Sequence, residues 1–209
     1  MRLNNIADIV AAQVPLCPLP TVLMACRRAV QDYLRRTRAW TAVVHGEWRS
    51  DTPVCELECP MDSEAVLLHS VHLDGREIPH FETEAVLRPH EGAAKNGPSF
   101  WRFANGRLEL YPYGPSSEEA KVFKVQAHAV LGIAASNPEL PCWLDADDIA
   151  YGAMANLYEM AGQTWSNPSL AAYFEEKFDG VIADKRIERN HGGKPGTLTI
   201  KTPHVGGYF

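Results

Sequence analysis

Long apolar runs, a basic excess and recognisable catalytic strings are all missing from this chain, and each absence closes off a class of function. No stretch of roughly 18 consecutive apolar residues occurs, so no transmembrane helix is expected. Residues 1–20 carry one arginine and an apolar patch, but Asp8 and Gln13 interrupt it, so no signal peptide is expected. Lys and Arg total 20 against 26 Asp and Glu, a formal charge of −6. A generic nucleic-acid binder presents the opposite balance. The cysteines, Cys17, Cys26, Cys55, Cys59 and Cys142, are odd in number and scattered. Secreted disulfide frameworks favour even counts in short chains, so reduced intracellular thiols fit better. No G-x-S-x-G, P-loop, G-x-G-x-x-G or H-E-x-x-H string is present.

Weaker candidates for chemistry also fall short. Cys55 and Cys59 share one strand face, but no second close pair completes a four-ligand zinc set. His69 and His72 stand three apart, which on a regular strand places them on opposite faces. Asp145, Asp147 and Asp148 resemble the start of a calcium loop. An EF-hand then needs Gly at its sixth position and Glu at its twelfth, where this chain has Ala150 and Asn156. No catalytic residue, metal ligand or cofactor site is assigned, and a non-enzymatic role is expected.

With 209 residues, 45% of them hydrophobic, the chain is long enough to bury a substantial core. Residues 1–19 read as a short helix or arm ending at Pro15, Pro18 and Pro20. From Thr21 to about Trp40 apolar residues recur at helical spacing, with Arg27, Arg28, Arg35, Arg36 and Arg38 mostly on other faces. Period-two alternation then predicts strands over 54–59, 66–73, 76–81, 100–103, 108–111 and 121–130. Asp74-Gly75 and Asn105-Gly106 are hairpin turns between them, and residues 88–98 read as a loop. Five to seven strands with short turns predict a small sandwich or barrel. After Pro138 and Pro141 the helical period returns. Asp145 is the expected N-cap, with Asp147 and Asp148 in the first turn. Gly162, Trp165, Asn167 and Pro168 build the corner to a second helix, which is expected to end near His191-Gly192-Gly193.

Residues 192–209 are free of acidic groups yet rich in apolar ones. The segment reads either as a frayed tail or, from Leu198, Ile200, Val205, Tyr208 and Phe209, as an arm that orders on a neighbour. The expected fold is therefore α+β. A helical bundle forms from residues 1–44 and 136–191, with a small β-sandwich or barrel-like module of residues 45–135 inserted and residues 192–209 as an extended arm. The charge is divided as well. The arginines cluster in residues 20–49, whereas residues 140–188 hold nine carboxylates, Asp179 and Asp184 among them, against Lys177, Lys185 and Arg186. Such blocks pair within a chain or between copies. Arginine suits bidentate carboxylate contacts, so pairing across a subunit interface is the preferred role of these residues over phosphate binding.

The order of parts, together with several strings, resembles the head-to-tail adaptor proteins of tailed phages, of the tail tubular protein A type. The strings are RRAVQDYLRRTRAW at residues 27–40, LDG at 73–75, FWRFANGRLELYP at 100–112, LP at 140–141, YGAMANLYEM at 151–160 and WSNPSLAAYFEEKFDGVIADKR at 165–186. The resemblance covers residues 20–190. It implies a structural virion protein of the phage neck, made in the host cytoplasm. It further implies a homo-oligomeric ring, commonly twelve-fold, between the portal protein and the tail nozzle or tube protein. DNA then passes through without specific binding, and no membrane is involved. A terminal arm that engages the portal is also implied. The alternatives are a tail-completion or nozzle-type virion component and, in another class, a small intracellular enzyme.

Overall fold

The computed structural model describes residues 1–60, 62–81, 98–113, 122–134 and 140–190. Four helices and seven strands follow in the order α1 (Leu3–Gln13), α2 (Leu19–Thr37), β1 (Thr41–Arg49), β2 (Val54–Glu58), β3 (Ser63–Leu73), β4 (Arg76–Ile78), β5 (Phe100–Ala104), β6 (Arg107–Tyr111), β7 (Val122–Ile133), α3 (Ala146–Glu159) and α4 (Pro168–Asn190). The expected loop over 88–98 and the C-terminal arm lie almost wholly outside the described residues.

The strands form one sheet in the order β4-β3-β7-β1-β2-β6-β5, with every ladder antiparallel. Its two ends approach each other just beyond β4. There His80 bridges to Trp101 of β5, Phe81 N–H donates to the Trp101 carbonyl at 2.9 Å, and Trp101 N–H donates to the Pro79 carbonyl at 3.1 Å. The sheet is thus a nearly closed barrel, and its terminal strands are paired where an open sheet would leave free edges. Curvature enters through β3, whose pairing with β7 shifts register between Ala65 and Leu67 and again between Leu68 and Ser70. The second shift turns both His69 and His72 toward the outer side. Regular alternation would have placed them on opposite faces. Asp74-Gly75 and Asn105-Gly106 turn the two tight hairpins with positive φ at both positions of each, as the type I′ geometry requires.

The expectation of a helical bundle carrying a small β insert is overturned. The β part is a nearly closed seven-stranded sheet and no small insert, and it contains the run β3-β7-β1, strands of 11, 12 and 9 residues. The sequence pattern does not single out β1. It pairs with β7 along its whole length, from Thr41–Val130 to Arg49–Val122, and with β2 on its other side. That one strand joins what would otherwise be separate hairpins into a continuous barrel. Its inward side chains, Val44 and Trp48, are buried, and the Trp48 indole N–H donates to the Thr52 carbonyl at 2.6 Å. An inward-facing Trp without such an acceptor would bury a bare donor, at a cost of about 1–3 kcal/mol.

The helices cover one end of this barrel. α2 packs against β7, and the Arg27 guanidinium donates to the Ala134 carbonyl just past β7 at 2.9 Å. Leu131 N–H donates to the Trp40 carbonyl at 2.8 Å, tying the exit of α2 into the sheet. α1 packs on α2 and α3, and α3 packs on α4. A single apolar cluster runs from Leu3 and Ile6 of α1 through Val22 and Leu34 of α2 to Trp48, Leu108 and Leu131 of the barrel.

Candidate functional site

Local rules place the helices that carry the charged residues. Asp145 caps α3 by accepting from Asp147 N–H at 2.9 Å. Asn167 caps α4 by accepting from Leu170 N–H at 3.2 Å, with Pro168 as the first helical residue. Gly162 has φ +77° in the exposed turn between them, and Trp165 is half-buried there with its indole N–H buried and without a hydrogen-bond partner among the described residues. The corner therefore has the parts that the sequence indicates. The apolar residues of α4 divide between two environments. Phe178 and Ile182 are buried and Phe174 and Val181 half-buried, while Leu170 and Tyr173 are exposed.

A groove of about 490 Å³ runs between α2, α3 and α4. Its floor is Gly152 of α3, against which the distal end of the Phe178 ring packs: a Cβ added at Gly152 would stand 2.8 Å from the ring's Cε1 and Cζ atoms. Its walls are charged. Arg36 binds Asp179 of α4 at 2.7 Å and Asp32 of its own helix at 3.2 Å. The bond to Asp179, more than any other contact, raises the Arg36 guanidinium above its ordinary value. One basic–acidic pair expected between the blocks is therefore made inside the chain. Arg28, Glu159 and Glu175 line the same groove. Among the described residues, the side chains of Arg28, Arg35, Arg38 and Asp184 make no ion pair.

A second groove of about 490 Å³ opens on the other flank of α4, lined by Tyr33, Trp143, Asp145, Asp148, Asp184 and Glu188 together with Lys185 and Val181. Neither groove has the enclosed, mostly apolar character of a small-molecule site. The described residues contain no three His, Cys, Asp or Glu side chains gathered closely enough to hold a metal ion. Cys26 and Cys55 are buried, and burial pushes both thiols up to about 12, so they are poor nucleophiles.

The feature that sequence periodicity missed is a second apolar stripe on α4. At about 100° per residue, Leu170, Tyr173 and Ile187 fall within one sector of the helix, away from Ala171, Phe178 and Ile182, with Lys177 and Asp184 among them. They are 37%, 51% and 50% exposed. Gly180 lies in that sector with open space around the position of a Cβ. A signal for it was available in the sequence: α4 has apolar residues on two faces, and one helix in one small protein needs only one. No protein-family model and no curated protein matches the chain.

Proposed function

We propose that this protein is a head-to-tail adaptor of a tailed phage. It is a structural subunit that forms a ring between the portal and the tail nozzle or tube and lets DNA pass. The observation that carries the assembly part of this reading is the exposed stripe of α4. Leu170, Tyr173 and Ile187, with Gly180 leaving room for close approach, form a face suited to another protein. The phage part is carried by the sequence strings at residues 27–40, 100–112 and 165–186. A ring needs one patch to meet a different patch on the next copy. The unpaired arginines of α2 and the carboxylates flanking α4 supply two such patches. The net charge of −6 suits a channel that must not grip phosphates.

The test is mass in solution with and without a portal ring. An adaptor is monomeric or weakly associated alone and becomes a symmetric ring on the portal. Binding to a tail nozzle without binding to a portal would instead favour a nozzle-type component. A stable monomer that engages neither would end the adaptor reading.

A further inference from the structure

The second groove has a property that no internal contact explains. Tyr33 of α2 is only 3% exposed and lines this groove, and its hydroxyl makes no hydrogen bond among the described residues. Burial first, then the charges of Asp148, Glu188 and Asp145, push the phenol up to about 12. Those three carboxylates line the same groove as Tyr33. Asp148 is likewise raised, by burial and then by Asp145 and Asp147, with Lys185 acting against them. Four carboxylates thus face a single ammonium, Lys185, which is already bonded to Glu188 at 2.7 Å. On one wall stands Trp143, 43% exposed, with the Lys185 ammonium 5.9 Å from its ring.

We propose that this cleft seats an arginine of a second copy of this chain, and that the entering residue is Arg35. The carboxylates are too dispersed for a bare metal ion. A guanidinium has five donors in a planar fork and stacks on indole, so it engages carboxylates, the Tyr33 oxygen and the Trp143 face together. Arg35 is exposed and makes no ion pair among the described residues. It lies two residues beyond Tyr33, about 200° around α2, and so points away from the cleft that Tyr33 lines. One copy cannot fill its own cleft with it; a neighbour can. The contact is head-to-tail, which closes into rings or extends into filaments. This inference names the charge contact of the ring and rests on the adaptor reading for its ring geometry.

Cys142 is exposed beside Trp143 at the cleft rim, and Gln31 lies one helical turn before Arg35 on the same face. The full-length Gln31→Cys variant is treated with a short bismaleimide, alone over a concentration series and again on a portal ring, with the parent chain as control. Cross-linked multimers are expected through Cys142 of the next copy and are lost when Cys142→Ser is added. Arg35→Glu and Asp184→Lys each reduce the cross-link at least about tenfold, a change of about 1.4 kcal/mol. Combining them restores it, while circular dichroism confirms that each variant is folded. Cross-links indifferent to both reversals, or absent both in solution and on the portal, overturn the proposal. A ring that forms on the portal without the 31–142 cross-link overturns the cleft contact and leaves the adaptor reading standing. The charge-dependent cross-link without any portal binding supports the contact and removes the adaptor reading.

Discussion

α3 and α4 are consecutive helices that use their residues in opposite ways. α3 has 14 residues, of which seven are buried: Ile149, Ala150, Gly152, Ala153, Met154, Leu157 and Tyr158. α4 has 23 residues and buries only Ala171, Phe178 and Ile182. One helix is spent inside the molecule, and the other is held at the surface by a few anchors. The difference teaches that the smaller residues of α3 exist to let α4 approach, whereas the larger exposed residues of α4 stay outside the core, Tyr173 touching only Lys177 and Phe174 of its own helix among the described ring contacts. The core is built mainly by the first helix, and the second leaves most of its residues at the surface.

The comparison breaks most visibly at the anchor. Phe178→Ala removes the ring lying on Gly152 and is expected to destabilise the protein by about 4 kcal/mol, read from denaturant unfolding. Gly152→Val pushes a branched side chain into that ring and should cost about 3 kcal/mol. The two changes must be non-additive, because the valine is harmless once the ring is gone. A fully additive double variant would show that the two helices do not meet as described. On the outer face, Tyr173→Ser with Ile187→Ser should leave unfolding within about 0.5 kcal/mol of the parent while abolishing ring formation on a portal. Asp179→Asn, which cuts the half-exposed bridge to Arg36, should cost at most about 1 kcal/mol.

The smallest effect is pH-dependent. Asp148 is raised in the folded protein, chiefly by burial, so the folded state holds its proton more tightly than the unfolded one. Stability is therefore highest while the carboxyl is neutral, and falls as pH rises from its ordinary value of 3.8 through the folded value. Asp148→Asn should melt slightly higher than the parent at about pH 7, and the advantage should vanish at about pH 3.

What the sequence reveals here is what is encoded locally. The caps Asp145 and Asn167, the Asp74-Gly75 and Asn105-Gly106 turns and the periodicity of α2 are all decided within a few residues, and the structure contains them. β1 was hidden because Gly46 and the exposed His45 and Glu47 dilute its apolar signal. Its reason to exist lies in β7, some eighty residues away, a separation that no local window spans. The barrel's closure at His80 and Trp101 is equally non-local, and for that reason the β part looked like a small insert. In the charged grooves, the blocks of opposite sign were legible but their partners were not. Arg36 with Asp179 depends on how α2 and α4 cross. The unbonded Tyr33 hydroxyl cannot be seen until α3 and α4 enclose it, since in the helical pattern it is simply one more residue of the apolar stripe.

Met1 and Leu140 exchange a reciprocal pair of bonds: the terminal ammonium donates to the Leu140 carbonyl at 3.0 Å, and Leu140 N–H donates to the Met1 carbonyl at 2.8 Å. With Leu3, Ile6 and Val10 buried beside it, α1 is seated against α3. On the ribosome the consequence is one of timing. α1 has to wait for α3, and the seven strands emerge between them. The barrel can form early from its neighbouring hairpins, but the helical cover cannot close until the chain has passed α3, so the faces of α1 and α2 that α3 covers stay open while the strands are made.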